Sequence, residues 1–559
     1  MQKKEAVLNL VKENWKAGLT VALISVPLSI ALSVASGAGP LPGIITGIWA
    51  TLIAGIFCGS NYNIIGAAGA LTTVLFAATL AAPLGLGAAA LPILAIASGL
   101  IILFIWAIRA DRFLYYIPSS VMYGFAGGVA FLIAASQLFD ATGLSALKRT
   151  GTFIGDIELY IAHAAETSGP AVGTFILFLV FILVWKRSIK RIPAVIPAAV
   201  FGIIFGWFET HFTSFNLISL GDKFGSFTAS LSLPVAWDAI PLILADREMF
   251  LFVLNAASLI ALIAVLETLI TAQIADKITK TQFSSRKELF GLALANLGSG
   301  AMGGLPATGV FIRTGANIKA GATHRTSALV AALATAVISL AVLPFFSFIP
   351  MAVIAAILVN TAIGLIEVDK FVEFFKREKE SFAVAILVLV LTVLEDAGIA
   401  VLIGAVLALL LFANRVSRGY FDVVFNYPDG TKEEDRQAKV LSIPKDVEYS
   451  FITYSVAGFL GYIDSTRHAA NFRHLVRAQN VHTVIIRLRN LFSIDFEGEE
   501  MLVQAVEDLI GSGKRVYLSS ASEQVRERLM HFPAIATLEK EGRFCTKAEE
   551  AIAHIKSGA

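Results

Sequence analysis

"GGLPATGVFIRTGANIKAGAT", residues 303–323, lies between two long apolar stretches, and its reading decides the fold. Gly303-Gly304-Leu305-Pro306 has poor helix propensity and lacks one backbone donor, so a helix arriving from the N-terminal side ends there. Apolar sequence resumes near Gly309, and Arg313 follows among small and apolar residues. An earlier stretch, NIIGAAGALTT at 63–73, interrupts the chain in a similar way. Each gap opens a short apolar segment, 69–83 in the first case and 309–320 in the second.

The surroundings of these gaps are those of a membrane protein. The chain has 559 residues, 56% hydrophobic and only 15% charged, and a mean hydropathy of +0.75. A soluble protein carries about 25% charged residues. A net charge of +2 gives no reason to expect a nucleic-acid partner. Two cysteines, Cys58 and Cys545, make no disulfide framework, and no zinc spacing or histidine cluster occurs, so neither metal nor cofactor is expected. Nothing points to an enzyme.

Fourteen apolar segments can be counted. Seven are 18–36, 41–59, 69–83, 88–108, 116–139, 171–186 and 192–208; the other seven are 250–272, 288–303, 309–320, 325–344, 347–366, 381–395 and 398–415. Most reach the ~20 residues that a hydrocarbon core of about 30 Å requires. The first reads as a retained span rather than a cleaved signal, because another apolar run follows almost at once. Lys and Arg crowd alternate loops (Lys12, Lys16, Arg109, Lys186, Arg187, Lys277, Lys280, Lys376, Arg377), while the intervening loops carry only Lys148, Arg149, Lys223 and Arg247. This asymmetry places both termini in the cytoplasm of a multi-pass protein of the cell inner or plasma membrane. Residues 367–380, EVDKFVEFFKREKE, read either as an amphipathic helix at the inner interface or as a solvated charged loop.

Seven and seven segments, with the third of each set short and entered through Gly-rich sequence, indicate an inverted-repeat transporter. Two half-helices meeting at mid-membrane present free N–H groups and positive dipole ends, a site for a small anion. An intramembrane Arg313 adds a full charge and is itself a functional-site candidate. The competing reading is close helix packing at Gly303–Gly309, with Arg313 paired to Glu267 for stability. Glu267 stands alone in LIALIAVLETLITAQ. Burial disfavours the charged form of a carboxylate, so Glu267 is also a candidate carrier of a coupling proton. Sodium coupling would need further oxygen ligands; Thr271 and Thr308 are at hand but no second acid is, so it ranks below the proton.

Several stretches together carry a family resemblance: KAGLTVALISVPLSIALSVASGAGPLPGI (16–44), YGFAGGVAFLIAASQL (123–138), LETLITAQIAD (266–276), the 303–323 stretch and EDAGIAVLIGAVLALLLFANRVSR (395–418). The chain resembles the SulP (sulfate permease) family of anion transporters with a C-terminal STAS domain. The resemblance implies an α-helical polytopic fold of fourteen spans in a seven-plus-seven inverted repeat. A core of spans 1–4 and 8–11 would move against a gate of spans 5–7 and 12–14. It also implies a homodimer. The implied anion site takes Gly69, Ala70 and Leu71 from one half and Gly309, Val310, Phe311 and Ile312 from the other. Leu28 and Leu32 come from the first span, beside Pro27. Arg313 matches a basic residue of the family, and Glu267 its span-8 carboxylate. The family's Gly-Pro opening of span 3 is Gly69-Ala70 here.

Composition changes near residue 415, which divides the chain into a membrane domain at 1–417, a linker or first strand pair at 418–437 and an α/β domain at 438–559. The stretch VIIRLRNLFSIDFEGEEMLVQAVEDLIGSGKRVYLSS (484–520) alternates strand, helix and strand. It resembles a STAS domain, which implies a cytoplasmic protein partner. Asp495 is followed by Phe496, so the phosphorylated Ser of related antagonists is absent there. The expected function is secondary active transport of an anion: sulfate first, then bicarbonate or a dicarboxylate, by proton symport. A nucleobase permease of the same plan and a membrane-anchored STAS receptor are the alternatives.

Overall fold

A computed structural model describes residues 2–109, 118–189, 192–213, 215–225, 227–228, 230–395, 397–417, 420–438, 441–444 and 446–557. The chain forms two compact units, Met1–Ala408 and Leu409–Ala559.

All fourteen apolar segments contain a helix. The first seven are α1 (Gln2–Ala35), α2 (Pro40–Phe57), α3 (Gly69–Ala81), α4 (Ala90–Ala107), α5 (Ser119–Ser136), α6 (Gly169–Ser188) and α7 (Val195–Phe212). The second seven are α8 (Arg247–Thr279), α9 (Ser285–Ala301), α10 (Phe311–Lys319), α11 (Thr326–Val342), α12 (Met351–Leu365), α13 (Lys379–Leu394) and α14 (Ala397–Ser417). Two two-residue strands, β1 (Ile65–Gly66) and β2 (Thr308–Gly309), precede α3 and α10. Ten helical segments among the described residues are long and apolar enough to cross a membrane. The four helices that fall short are α3, α9, α10 and α13. At 13 and 9 residues, α3 and α10 are the shortest of the fourteen.

Local chemistry explains the boundaries. Asp246 caps α8 through Oδ1, which accepts from Glu248 and Met249 N–H at 2.8 and 2.9 Å, and Lys280 ends the helix in the left-handed region. The α9 helix stops at Gly303, whose φ is +82° and where a Cβ would lie 2.7 Å from Leu233 Cβ. Glycine is the residue that fits both conditions.

Burial separates centre from rim. In α1, 83% of the apolar window is buried, against 22% in α6, which exposes Ile176, Leu177 and Val184 as a lipid-facing helix does. The 367–380 stretch contains a helix, Val368–Arg377. It exposes Val368, Val372 and Phe375, positions spaced to share one helix face, while Phe374 packs on Tyr123 with ring centroids 5.9 Å apart.

The second unit is a six-stranded sheet in the order β4-β3-β5-β6-β7-β8. Its strands are β3 (Tyr420–Asn426), β4 (Lys432–Ala438), β5 (Phe451–Leu460), β6 (Thr483–Ile494), β7 (Arg515–Ser519) and β8 (Phe544–Cys545). Pairing is antiparallel at β4-β3-β5 and parallel from β5 to β8. The stretch left as a linker or first strand pair therefore supplies a strand pair, β3 and β4; residues 418 and 419 lie outside the described ones. Helices Tyr462–Arg477 and Phe496–Gly511 cover one sheet face over Tyr454, Ile486 and Leu518, and Ala548–Ser557 lies on the other over Ile485 and Tyr517. Because this unit has its own core, a chain ending at Ser417 is expected to insert and retain a protease-resistant membrane fold. Failure to reach the membrane fraction would show that the two units depend on each other to fold.

Candidate functional site

The two gaps meet. Strands β1 and β2 pair antiparallel, with Ile65 opposite Gly309 and Gly66 opposite Thr308, as two halves of opposite orientation require. Both α3 and α10 start just beyond this bridge, and neither has a capping side chain. First-turn N–H groups of a helix have no partner within it, and the dipole makes that end positive.

Not every expected donor is open. The Gly309 N–H donates to Thr268 Oγ1 at 2.8 Å, and the Val310 N–H donates to Ile64 O at 2.9 Å. These two residues tie the bridge together, so on that side the uncapped donors begin at Phe311.

A cavity of ≈ 260 Å³ adjoins both helix starts and is lined by Ala70, Phe311, Glu267, Thr271, Tyr123 and Lys277 among others. Of the residues expected at the site, Ala70, Phe311 and Glu267 line it. Leu28, Leu32, Leu71 and Val310 are buried and do not. Gly69, Gly309 and Ile312 are also outside the lining. Leu32 and Ile133 back the start of α3, with atoms 3.9 and 3.1 Å from where a Cβ on Gly69 would sit. On the other flank of α3, Thr73, Phe76 and Ala77 line a second cavity of ≈ 150 Å³. There Arg149 pairs with Asp156 at 2.9 Å and stacks over the Phe76 ring at 4.2 Å.

Arg313 is fully buried and stands outside the cavity lining. Its Nη2 donates to Ser29 Oγ at 2.9 Å, while Nε and Nη1 have no hydrogen-bond partner. A Cβ on Gly66 would lie 2.2 Å from Nη1, so the bare Gly66 backbone makes room for the guanidinium. Glu267 is not its partner: no ion pair joins them, and Glu267 Oε2 has no hydrogen bond. The alternative of an Arg313–Glu267 bridge is not realised in the structure.

The gap before β2 is held by side chains that satisfy its freed backbone groups, as irregular backbone at membrane depth requires. Asn296 bonds both polar groups of Ala307, at 2.9 and 2.8 Å. Ser299 Oγ donates to Leu305 O at 3.0 Å, and Leu305 N–H donates to Thr46 Oγ1 at 2.6 Å. The gap before β1 depends on Glu288, which is fully buried. Its Oε2 accepts from Gly59 and Ser60 N–H at 2.8 and 2.7 Å, and its Oε1 from Asn63 Nδ2 at 2.8 Å. Asn63 Oδ1 in turn accepts from Thr314 Oγ1 of α10 at 3.0 Å. One chain of bonds thus joins α9, the β1 turn and the α10 start.

Sequence reasoning passed over Ser29, Asn63, Thr268 and Glu288. For Ser29 a signal existed: Ser25, Ser29 and Ser33 recur every fourth residue in α1, and a Cβ on Gly43 or Gly47 of α2 would approach Ser29 within 2.2 and 2.9 Å. Small residues at that spacing bring helix backbones together.

The sulfate permease family model matches residues 11–388. The chain belongs to the sulfate permease family. Within the sulfate permease family and its relatives, it is 25% identical to "Putative sulfate transporter YvdB" of Bacillus subtilis (strain 168) over 92% of both chains. It is 28% identical to the bicarbonate transporter BicA of Picosynechococcus sp., covering 72% of this chain and 70% of that one. A structure of the murine Slc26a9 anion transporter in the inward-facing state shares the fold. Its TM-score is 0.77 at 14% identity, over 98% of this chain and 92% of that one. As a sulfate permease family member, the chain is a multi-pass membrane anion transporter and not an enzyme.

Proposed function

We propose that the chain is a secondary active transporter that moves sulfate, with bicarbonate or a dicarboxylate as next candidates, together with a proton. The observation that carries this reading is a cavity that adjoins the uncapped starts of both α3 and α10 and also holds Glu267. Backbone N–H groups would hold the anion, with Ala70 and Phe311 at its side. Leu28, Leu32, Gly69, Leu71, Gly309, Val310 and Ile312 would shape and stiffen the seat, and Arg313 would add its field from behind. Cavities on both flanks of α3 support an elevator-type movement of a core carrying α3 and α10 against a gate. Lys and Arg in alternate loops support cytoplasmic termini. The second unit serves in this reading as a cytoplasmic STAS domain, a seat for a protein partner, and the transporter works as a homodimer.

The test is uptake into proteoliposomes of labelled sulfate, bicarbonate and a dicarboxylate, with and without an acid-outside gradient. One of the three is expected to accumulate, and faster with the gradient. No uptake above protein-free vesicles would end the transport reading; gradient-independent uptake that requires sodium would replace the proton. Glu267→Gln keeps the shape of the neutral acid. It is expected to bind the anion and lose the pH response of uptake. Binding of anion and proton should otherwise favour each other reciprocally. A Glu267→Gln protein with the full pH response would remove Glu267 from the coupling role.

A further inference from the structure

The α/β unit carries a polar row that transport does not use. Across the sheet, Ser455 of β5 is in register with Arg487 of β6, and Arg487 with Ser519 of β7. Register partners share a sheet face, and neighbouring strands lie about 4.8 Å apart, so two serines flank the base of the Arg487 side chain. This is the face opposite Ile486 and Leu518, which point into the main core.

Two members of the row are unsatisfied. Ser519 is fully buried, yet its Oγ has no hydrogen-bond partner. Arg487 is partly buried, and its Nε is buried without a partner. A buried donor left unpaired is costly, and a guanidinium beside a hydroxyl donor matches an oxyanion. The site has an open end. After Ser519 the backbone turns away at Ser520, whose φ is +60°, leaving the carboxyl end of β7, where parallel sheets offer ligand crevices. Asp422 lies in register beyond Ser455, about 10 Å from Arg487 by strand spacing. That acid marks the other end of the row and favours an anion on the Ser519 side.

We propose that Arg487, with the Ser519 and Ser455 hydroxyls, forms a binding site for an oxyanion, either free phosphate or sulfate or the phosphate of an ester. It is a second anion site, in the α/β unit and independent of the cavity at α3 and α10.

Hydrogen exchange of the full-length protein in lipid nanodiscs tests this locally, so anion binding in the membrane unit does not confuse the readout. Peptides covering residues 484–489 and 515–520 are followed with inorganic phosphate, sulfate or adenosine monophosphate. A single charge-assisted site suggests a Kd of about 1 mM, so about 10 mM ligand should saturate it. Slower exchange of both peptides is expected. Arg487→Gln should weaken the effect about tenfold and Ser519→Ala by a smaller factor, while Arg487→Lys retains part of it. Protection by the inorganic ions alone assigns the site to free oxyanions. Protection by the nucleotide alone assigns it to phosphate esters. No protection by any of the three overturns the proposal, as does equal protection in Arg487→Gln. Should Arg487→Gln fail to fold, undiminished protection in the near-isosteric Ser519→Ala together with Arg487→Lys would overturn it too.

Discussion

Arg313→Ala is expected to lower anion affinity by about thirtyfold without lowering the melting temperature. A buried unit charge one or two helical turns from a bound anion contributes about 2 kcal/mol at an effective dielectric constant of about 20. The split between affinity and stability separates a functional charge from a structural one. Arg313 donates one side-chain bond, to Ser29, and leaves Nε and Nη1 buried and unpaired. Desolvation of such a charge opposes folding, and removing it relieves that cost. Were Arg313 a structural cation, its loss would instead lower the melting temperature and leave affinity alone. Titration of the purified protein with labelled sulfate, alongside its melting curve, distinguishes the two. Gly66→Ala supplies a second route to the same end. Its Cβ would meet Nη1 at 2.2 Å and displace the guanidinium, so affinity should fall in the same direction with the charge still present.

The fold was legible because it rests on local features. Gly303-Gly304-Leu305-Pro306 cannot continue a helix, and its counterpart before α3 sits at the same place in the first set of seven. Length was the less reliable guide: α9 and α13, at 17 and 16 residues, are short of a span by that measure, although their sequences read as two of the fourteen segments. Charge alternation in EVDKFVEFFKREKE left a helix and a loop open, and packing of Phe374 on Tyr123 is a long-range fact that the stretch does not contain.

The candidate site was legible only at its front. The uncapped helix starts follow from the gaps, and Ala70 and Phe311 sit at those starts. What holds them is a set of side-chain contacts between residues far apart in sequence. Asn63 reads as an ordinary turn residue and Glu288 as a first-turn acid of α9, a favourable but common place for a carboxylate. Nothing in either stretch indicates that one bonds the other. The same limit applied to Gly309 and Val310. Their N–H groups looked available from the sequence, and they are used by Thr268 and Ile64, partners that only the tertiary fold supplies.

Glu288→Ala is expected to be the most damaging single change in the membrane unit. The carboxylate accepts from two backbone N–H groups and one side-chain amide, at 2.7 to 2.8 Å. Each buried donor left unsatisfied costs about 1–3 kcal/mol, so the loss approaches the stability of a typical domain, about 5–15 kcal/mol. Failure to accumulate folded protein would be an uninformative success, so Glu288→Gln is the better measurement. It preserves volume and replaces one acceptor oxygen by an amide nitrogen. That nitrogen must face either the Gly59 and Ser60 N–H groups or the Asn63 amide. Asn63 cannot turn its own oxygen toward it without giving up the bond from Thr314. A clash of donors on one side, or the loss of the Thr314 bond, therefore follows. Glu288→Gln is expected to melt several degrees lower and to speed hydrogen exchange in the 59–63 turn. It should also weaken anion binding, because the α10 start loses its tether to that turn. Asn63→Ala should reproduce the binding loss, and the double variant should show less than the sum of the two, since both remove one shared chain of bonds. Additive effects, or a Glu288→Gln protein with unchanged turn exchange, would mean that the turn is fixed by the β1–β2 bridge alone.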